Sequence, residues 1–193
     1  MNTVLENKVK VMKKQYEGLI KIAIWIAIAI FIAQVVFFSS EAVTVSLLYR
    51  FASKAVALAA ILVTFYERWG WRYNPIEKTP KLHKVYKGKI KSKYDDIERE
   101  ATIEIKQTLL SVDVVLITNE SRSNTVSANI SEVFGEKQLI YHYLNKPKTE
   151  FRHRSEIHFG TAILSLNDTK KLTGDYYTDR NTKGDMEFDA VQL

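Results

Sequence analysis

The sequence has 193 residues, with 28 Lys and Arg against 22 Asp and Glu, a formal net charge of +6, four His and no cysteine. That length fits one globular domain plus a membrane anchor, since a single core takes about 100 to 150 residues. The lack of cysteine excludes a disulfide framework and thiolate metal sites and agrees with a reducing cytoplasm, no metal is expected from four scattered His, and the basic balance favours anionic partners such as nucleotides, nucleic acid or lipid headgroups without choosing among them.

From Ile22 to Phe38 the chain reads IAIWIAIAIFIAQVVFF, a run without a charge. As a helix it nearly covers the roughly 30 Å hydrocarbon core of a bilayer. The alternating isoleucines suggest a strand, but strands usually run about 5 to 6 residues, and no polar residue alternates with these. A cleavable signal peptide is the competing reading. Its apolar core is usually about 7 to 15 residues long and ends in an A-x-A-like site, and no such site precedes Ser39 and Ser40. After the link Ser39, Ser40 and Glu41, a second apolar stretch runs from Ala42 to Tyr66, interrupted by Arg50 and Lys54. Two transmembrane helices are therefore expected, at about 19–38 and 44–66, within an anchor covering residues 1–73. Arg50 and Lys54 are four apart and share a helical face; they either snorkel to the nearer interface or line an oligomeric pore. Lys8, Lys10, Lys13, Lys14 and Lys21 precede the first span, Arg68, Arg72 and Lys78 follow the second, and the link has no cation. The positive-inside rule then puts both termini and the C-terminal domain in the cytoplasm. Trp69, Trp71 and Tyr73 either form an interfacial aromatic belt or pack at a domain edge.

Pro75 and Pro80 punctuate a polar connector over residues 74–85. Beyond it, short runs of alternating apolar and polar residues separated by turn-forming clusters predict eight strands, at 86–92, 99–107, 111–118, 124–131, 138–144, 157–166, 172–178 and 184–190. Short connections favour an antiparallel meander. Eight such strands suit an up-and-down β-barrel over residues 86–193, which has no exposed edge, with a two-sheet sandwich as the alternative. Alternation points Tyr86, Gly88 and Ile90 inward, then Ala101, Ile103 and Ile105, then Val112, Val114 and Leu116. Later strands contribute more polar groups: Leu139, Tyr141 and Tyr143 on the fifth; His158, Gly160, Ala162 and Leu164 on the sixth; Leu172, Gly174, Tyr176 and Thr178, continuing to Arg180, on the seventh. An Arg in line with a core face belongs at the barrel mouth, because an unpaired buried charge is costly.

In such a barrel the ends of strands three, five and seven share one rim. The loops at 121–123, 145–156 and 179–183 would gather Arg122, Lys146, Lys148, Arg152, Arg154, Arg180 and Lys183 around one mouth, with Asp95 and Asp96 partly offsetting them. A cationic mouth above tyrosines suits a ligand carrying phosphates and flat bases, since Arg grips phosphate bidentately and tyrosine rings stack on bases. Composition alone leaves open a solvated basic surface over an ordinary aromatic core.

The segment LTGDYYTDRNTKG at 172–184, with LIYHYLNKP at 139–147 and HFGTAILSL at 158–166, follows two N-terminal membrane helices. In this order they resemble the two-transmembrane, β-strand-rich effectors of bacterial CBASS anti-phage systems, over essentially the whole chain. One departure is Ile90, which stands two residues after Gly88 where a Trp is expected. The resemblance implies a receptor for a cyclic oligonucleotide, foremost a cyclic dinucleotide, made by a partner nucleotidyltransferase during infection. It implies a multi-pass protein of the bacterial inner membrane whose ligand promotes homo-oligomerisation, disruption of membrane lipids and abortive infection. No catalytic step, cofactor or DNA partner is implied. The candidate ligand-binding residues are Tyr141, Tyr143, Tyr176, Thr178, Arg180, Thr182, Arg122 and Arg152. Two other classes stay in view: a membrane-anchored, lipocalin-like carrier of a lipid or other hydrophobic ligand, and a membrane-bound enzyme, which requires close carboxylates or a metal facing the pocket. No nucleophile motif such as G-x-S-x-G is found.

Overall fold

The computed structural model describes residues 2–38 and 44–191, and divides into two compact units, Met1–Glu77 and Lys78–Leu193. In the first unit the apolar runs form helices α1 (Asn2–Phe38) and α2 (Val45–Arg68). Tyr16–Phe37 and Val45–Arg68 are long and apolar enough to cross a membrane. Thr44 starts α2 by accepting the Leu47 N–H on its hydroxyl at 3.3 Å, which satisfies one of the donors a helix start leaves free. Phe51, Ala55 and Ala59, four apart, are the buried face of α2, and the small alanines allow close approach of α1. Gln34 of α1 donates to the Phe51 carbonyl at 3.2 Å across this seam. Arg50 and Lys54 are both exposed. The link Ser39, Ser40 and Glu41, with Ala42, lies outside the described residues, as do the side chains of Lys8, Lys10, Lys13 and Lys14. Beyond α2, Trp69 and Tyr73 are exposed and Trp71 is buried.

The second unit is a closed antiparallel barrel of eight strands in sequence order: β1 (Val85–Ser92), β2 (Glu98–Gln107), β3 (Val112–Thr118), β4 (Ser121–Val133), β5 (Glu136–Pro147), β6 (His158–Asp168), β7 (Lys171–Thr178) and β8 (Lys183–Ala190). Pairing of β1 with β8 closes the ring, which sets aside the sandwich. Within the barrel the largest departure from the sequence expectation is in β4 and β5, expected at 124–131 and 138–144, while in the first unit α1 begins at Asn2, well before the expected span at about 19–38. Residues 121–123 and 145–147, expected as loops, pair with one another, Ser121 with Pro147 and Ser123 with Asn145. Inside the barrel the Ser123 hydroxyl donates to the Asn145 side-chain oxygen at 2.9 Å, so turn-forming residues are satisfied within a sheet. The far end of this hairpin turns through Phe134 and Gly135, both at positive φ (52° and 82°), the backbone of a two-residue primed turn.

Val126 is a bulge in β4: Thr125 faces Tyr143 and Ser127 faces His142, leaving Val126 as an extra residue. The inward series therefore changes parity, from Ser123 and Thr125 to Ala128 and Ile130. In β1, β2, β3 and β7 the burial pattern follows the expected alternation, whereas in β6 Gly160, Thr161 and Ala162 are buried in succession. Tyr86, Ile103, Leu139, Leu164, Leu172 and Phe188 are fully buried and form one core, joined by Leu82 from the chain leading into β1. The Leu82 N–H donates to Gln107 Oε1 at 3.0 Å, and the Tyr86 hydroxyl donates to the Thr169 carbonyl at 2.7 Å. These bonds close the end at which the chain joins the barrel.

Candidate site at the barrel mouth

The inward face changes character from one end of the barrel to the other. The end where the chain joins is apolar; towards the ends of β3, β5 and β7 it becomes Ser123, Thr125, Tyr143, Asn145, Tyr176 and Thr178. Two tyrosine rings lie close against strand backbone because the residue beneath is glycine. A Cβ on Gly160 would collide with the Tyr143 phenol, and one on Gly184 would crowd the Tyr176 ring. Tyr141 lies deeper, its ring 5.8 Å from that of Tyr143. Its hydroxyl is buried with no hydrogen-bond partner among the described residues. Burial pushes the pKa values of both phenols up, helped at Tyr143 by the charges of Tyr176 and Asp179, so both remain neutral at physiological pH.

Thr178 organises the β7–β8 turn. Its hydroxyl is 2.6 Å from that of Thr182 and accepts the Arg180 N–H at 3.3 Å. This short-range bonding holds the turn and projects Arg180, which is exposed and reaches Ser155 Oγ at 3.1 Å. Arg180 thus tops the mouth, whereas Tyr141, Tyr143, Tyr176 and Thr178 face inward beneath it.

Arg122 and Arg152 are elsewhere at the same end of the barrel. Arg122 pairs with Lys146 on the outward side, one residue out of phase with Ser123 and Asn145. With Lys148, Arg152, Ile117 and Thr149 they line a cleft of about 400 Å³ at this end of the barrel, to which Thr118, Ser121 and Pro147, in phase with the interior, also contribute. The eight candidates therefore divide between the interior with its rim and a cationic cleft beside it.

Sequence reasoning passed over Arg99. It stands on β2 in phase with Ala101, Ile103 and Ile105, the same signal that singled out Arg180. Its guanidinium takes the Asp95 carboxylate with two nitrogens, Nη1–Oδ1 at 3.2 Å and Nη2 to Oδ2, and its Nε lies 3.8 Å from Glu120 Oε2. Glu120 also accepts from Arg154 Nη2 at 2.8 Å. Three loops, β1–β2, β3–β4 and β5–β6, are thereby tied across the mouth. The hydrogen bond from Arg99 holds the Asp95 carboxyl below the usual carboxylate range, and the same bond raises the Arg99 pKa. Among the described residues no three His, Cys, Asp or Glu gather as a metal site.

A family model described as "Cap15, cyclic dinucleotide receptor domain" matches residues 77–190, the span of the barrel. CD-NTase-associated protein 15 of Staphylococcus schleiferi is 31% identical over 144 residues, which cover 72% of this chain and 79% of that protein.

Proposed function

This chain belongs to the Cap15 cyclic dinucleotide receptor family, and from that premise we propose how the barrel takes its ligand and how the helices respond. It is a CBASS effector that binds a cyclic oligonucleotide, with a nucleotidyltransferase as its functional partner. In the reading proposed here, the ligand is a cyclic dinucleotide that enters the polar end of the barrel. Its phosphates meet Arg180 at the rim, its bases stack against Tyr143 and Tyr176, and Thr178 and Thr182 offer hydroxyls. Net positive charge draws the anion in. The chain performs no catalytic step, and ligand binding is its whole input.

The observation that supports this most directly is the change of the inward face from apolar to polar at the end where the cationic loops gather. The same observation weighs against a hydrophobe carrier, because the apolar half is a packed core rather than a lined cavity. For output, the ligand must bind the self-associated form more tightly than the monomer, since it shifts an equilibrium only by its differential affinity. Self-association gathers α1 and α2 from several copies in the inner membrane and disrupts it, with both termini and the barrel on the cytoplasmic side.

Calorimetric titration of a cyclic dinucleotide into detergent-solubilised full-length protein tests the site. Loss of one charge-assisted phosphate contact in Arg180→Ala costs about 1.5 to 3 kcal/mol, roughly ten- to a hundredfold in affinity. Thr178→Val weakens binding less, by removing one hydroxyl. If Arg122→Ala and Arg152→Ala lose binding while Arg180→Ala keeps it, the ligand occupies the cationic cleft and the mouth reading fails.

A further inference from the structure

Strand ion pairs such as Lys89 with Glu98 and Lys171 with Glu187 lie in the open on the outer face of the barrel, where they contribute little. Arg99 is different. It stands between Glu98 and Glu100 but in phase with Ala101 and Ile103, and its side chain is only 26% exposed. Ile90, paired with it on β1, packs against the core. A guanidinium does not give up its proton, so one drawn into the inward layer needs an anion beside it. That anion comes from turns: Asp95 lies between β1 and β2, and Glu120 between β3 and β4. Asp95 covers the Nη1–Nη2 edge and Glu120 lies towards Nε, so both forked edges of the group face a carboxylate. The Asp95 hydrogen bond is the main cause that raises the Arg99 pKa, and the charges of Asp95, Glu120 and the Tyr176 phenol add to it. Arg99 is therefore within electrostatic reach of a ring that meets a base of the ligand.

We propose that Arg99 is a second phosphate anchor of the mouth and that Asp95 occupies it until the ligand arrives. A cyclic dinucleotide carries two phosphodiesters on opposite sides of its ring, each with two free oxygens that match the fork a carboxylate fills. Arg180 takes one of them from the β7–β8 turn. In the closed barrel β8 and β1 stand between β7 and β2, so Arg99 reaches the mouth from another side and suits the second phosphodiester. Because both edges of its guanidinium already face a carboxylate, a phosphate cannot simply be added to Arg99 and has to take the place of Asp95. Affinity is then the difference between two pairings of one guanidinium, and Asp95 is a competitor within the chain that sets how much ligand is needed. The exchange also unfastens the β1–β2 turn from β2, whereas Glu120 keeps its bond from Arg154 at 2.8 Å. The turn carrying Asp95 is thus the part of the rim that responds to ligand. The inference rests on the reading that the ligand enters the polar end of the barrel.

Cyclic dinucleotides of adenine, guanine and uracil are titrated into detergent-solubilised full-length protein, and the tightest binder is carried to the variants, each with its melting temperature. Arg99→Ala is expected to bind roughly ten- to a hundredfold more weakly, as the loss of one phosphate contact requires. Arg99→Lys keeps the charge without the fork and should recover only part of that loss. Asp95→Asn should melt lower yet bind severalfold more tightly, because the competitor is gone while the guanidinium stays. In the double variant Asp95→Asn with Arg99→Ala that gain should vanish; a gain that persists comes from the lost negative charge alone and overturns the exchange. A pair that merely braces the rim makes stability and affinity fall together in Asp95→Asn, and that result overturns the proposal, as does binding like wild type by Arg99→Ala. Should Arg99→Ala fail to fold, tighter binding by Asp95→Asn with weaker binding by Arg99→Lys supports the proposal, and any other pattern overturns it. Arg180→Ala separates this inference from the reading beneath it. If Arg180→Ala is weakened while Arg99→Ala binds like wild type, only the second anchor is refuted; if neither is weakened, the ligand does not enter the mouth and both fall.

Discussion

Gly160 is bare because the Tyr143 phenol occupies the place a side chain would take. Gly160→Ala is therefore an overpacking change at the site, expected to cost about 1 to 3 kcal/mol. The accompanying loss of cyclic dinucleotide affinity, read by titration beside the denaturation midpoint, would show that the ring has been pushed from its place. At the rim, Asp95 supplies a test in pH. Its carboxyl is held low by Arg99, so the stability it contributes is complete above the ordinary carboxylate value of about 3.9 and is lost as pH falls through the depressed folded value. The melting temperatures of wild type and Asp95→Asn should thus differ by a constant amount from pH 5 to 8, begin to converge only below about pH 3.9, and meet once the pH is below the depressed folded value. A gap that does not narrow at all on acidification would mean that the pair is not what holds the loops.

At the scale of strands, the hairpin β4–β5 depends on one residue that no pattern announces. Deleting Val126 removes the bulge, and the parity change then has to be absorbed by turning either Ser123 and Thr125 or Ala128 and Ile130 to the wrong side. We expect this deletion to abolish the β-sheet circular dichroism signal, while Val126→Ala, an exposed truncation, stays within about 0.5 kcal/mol of wild type. A folded deletion variant would show that the register is not fixed by the bulge. Alternation with an unbroken period of two was legible, and the two helices were legible from long apolar runs, the first without a charge and the second broken only by Arg50 and Lys54. The parity change in β4 was not, since it exists only relative to β5. The extra pairs at 121–123 and 145–147 were hidden for a similar reason: Ser, Asn and Pro read as turn residues until Ser123 finds Asn145 across the ladder. Arg122 and Lys146 were placed on the rim correctly in height, but one residue out of phase with the interior series, and that phase was readable. Arg99 was equally readable and needed only the rule already applied to Arg180.

For the molecule as a whole, the barrel closes its own hydrogen-bond ladders, so residues 78–193 should fold without the helices and show a β-type spectrum. That fragment should bind a cyclic dinucleotide yet cause no dye uptake in cells that make the ligand, whereas the full chain should. Equal dye uptake from the fragment would refute membrane disruption through α1 and α2. The closure of β1 on β8 also sets a timetable for synthesis. The ring is complete only when Lys183–Ala190 has left the ribosome, and Ala190 follows the end of α2 at Arg68 by 122 codons (190 − 68). The membrane helices are thus available for insertion long before the receptor exists. Until then β1 and β7 are open edges, which favour pairing with other chains. A nascent or C-terminally clipped chain consequently lacks the closed ring, so the β8 segment is what turns seven paired strands into a finished receptor.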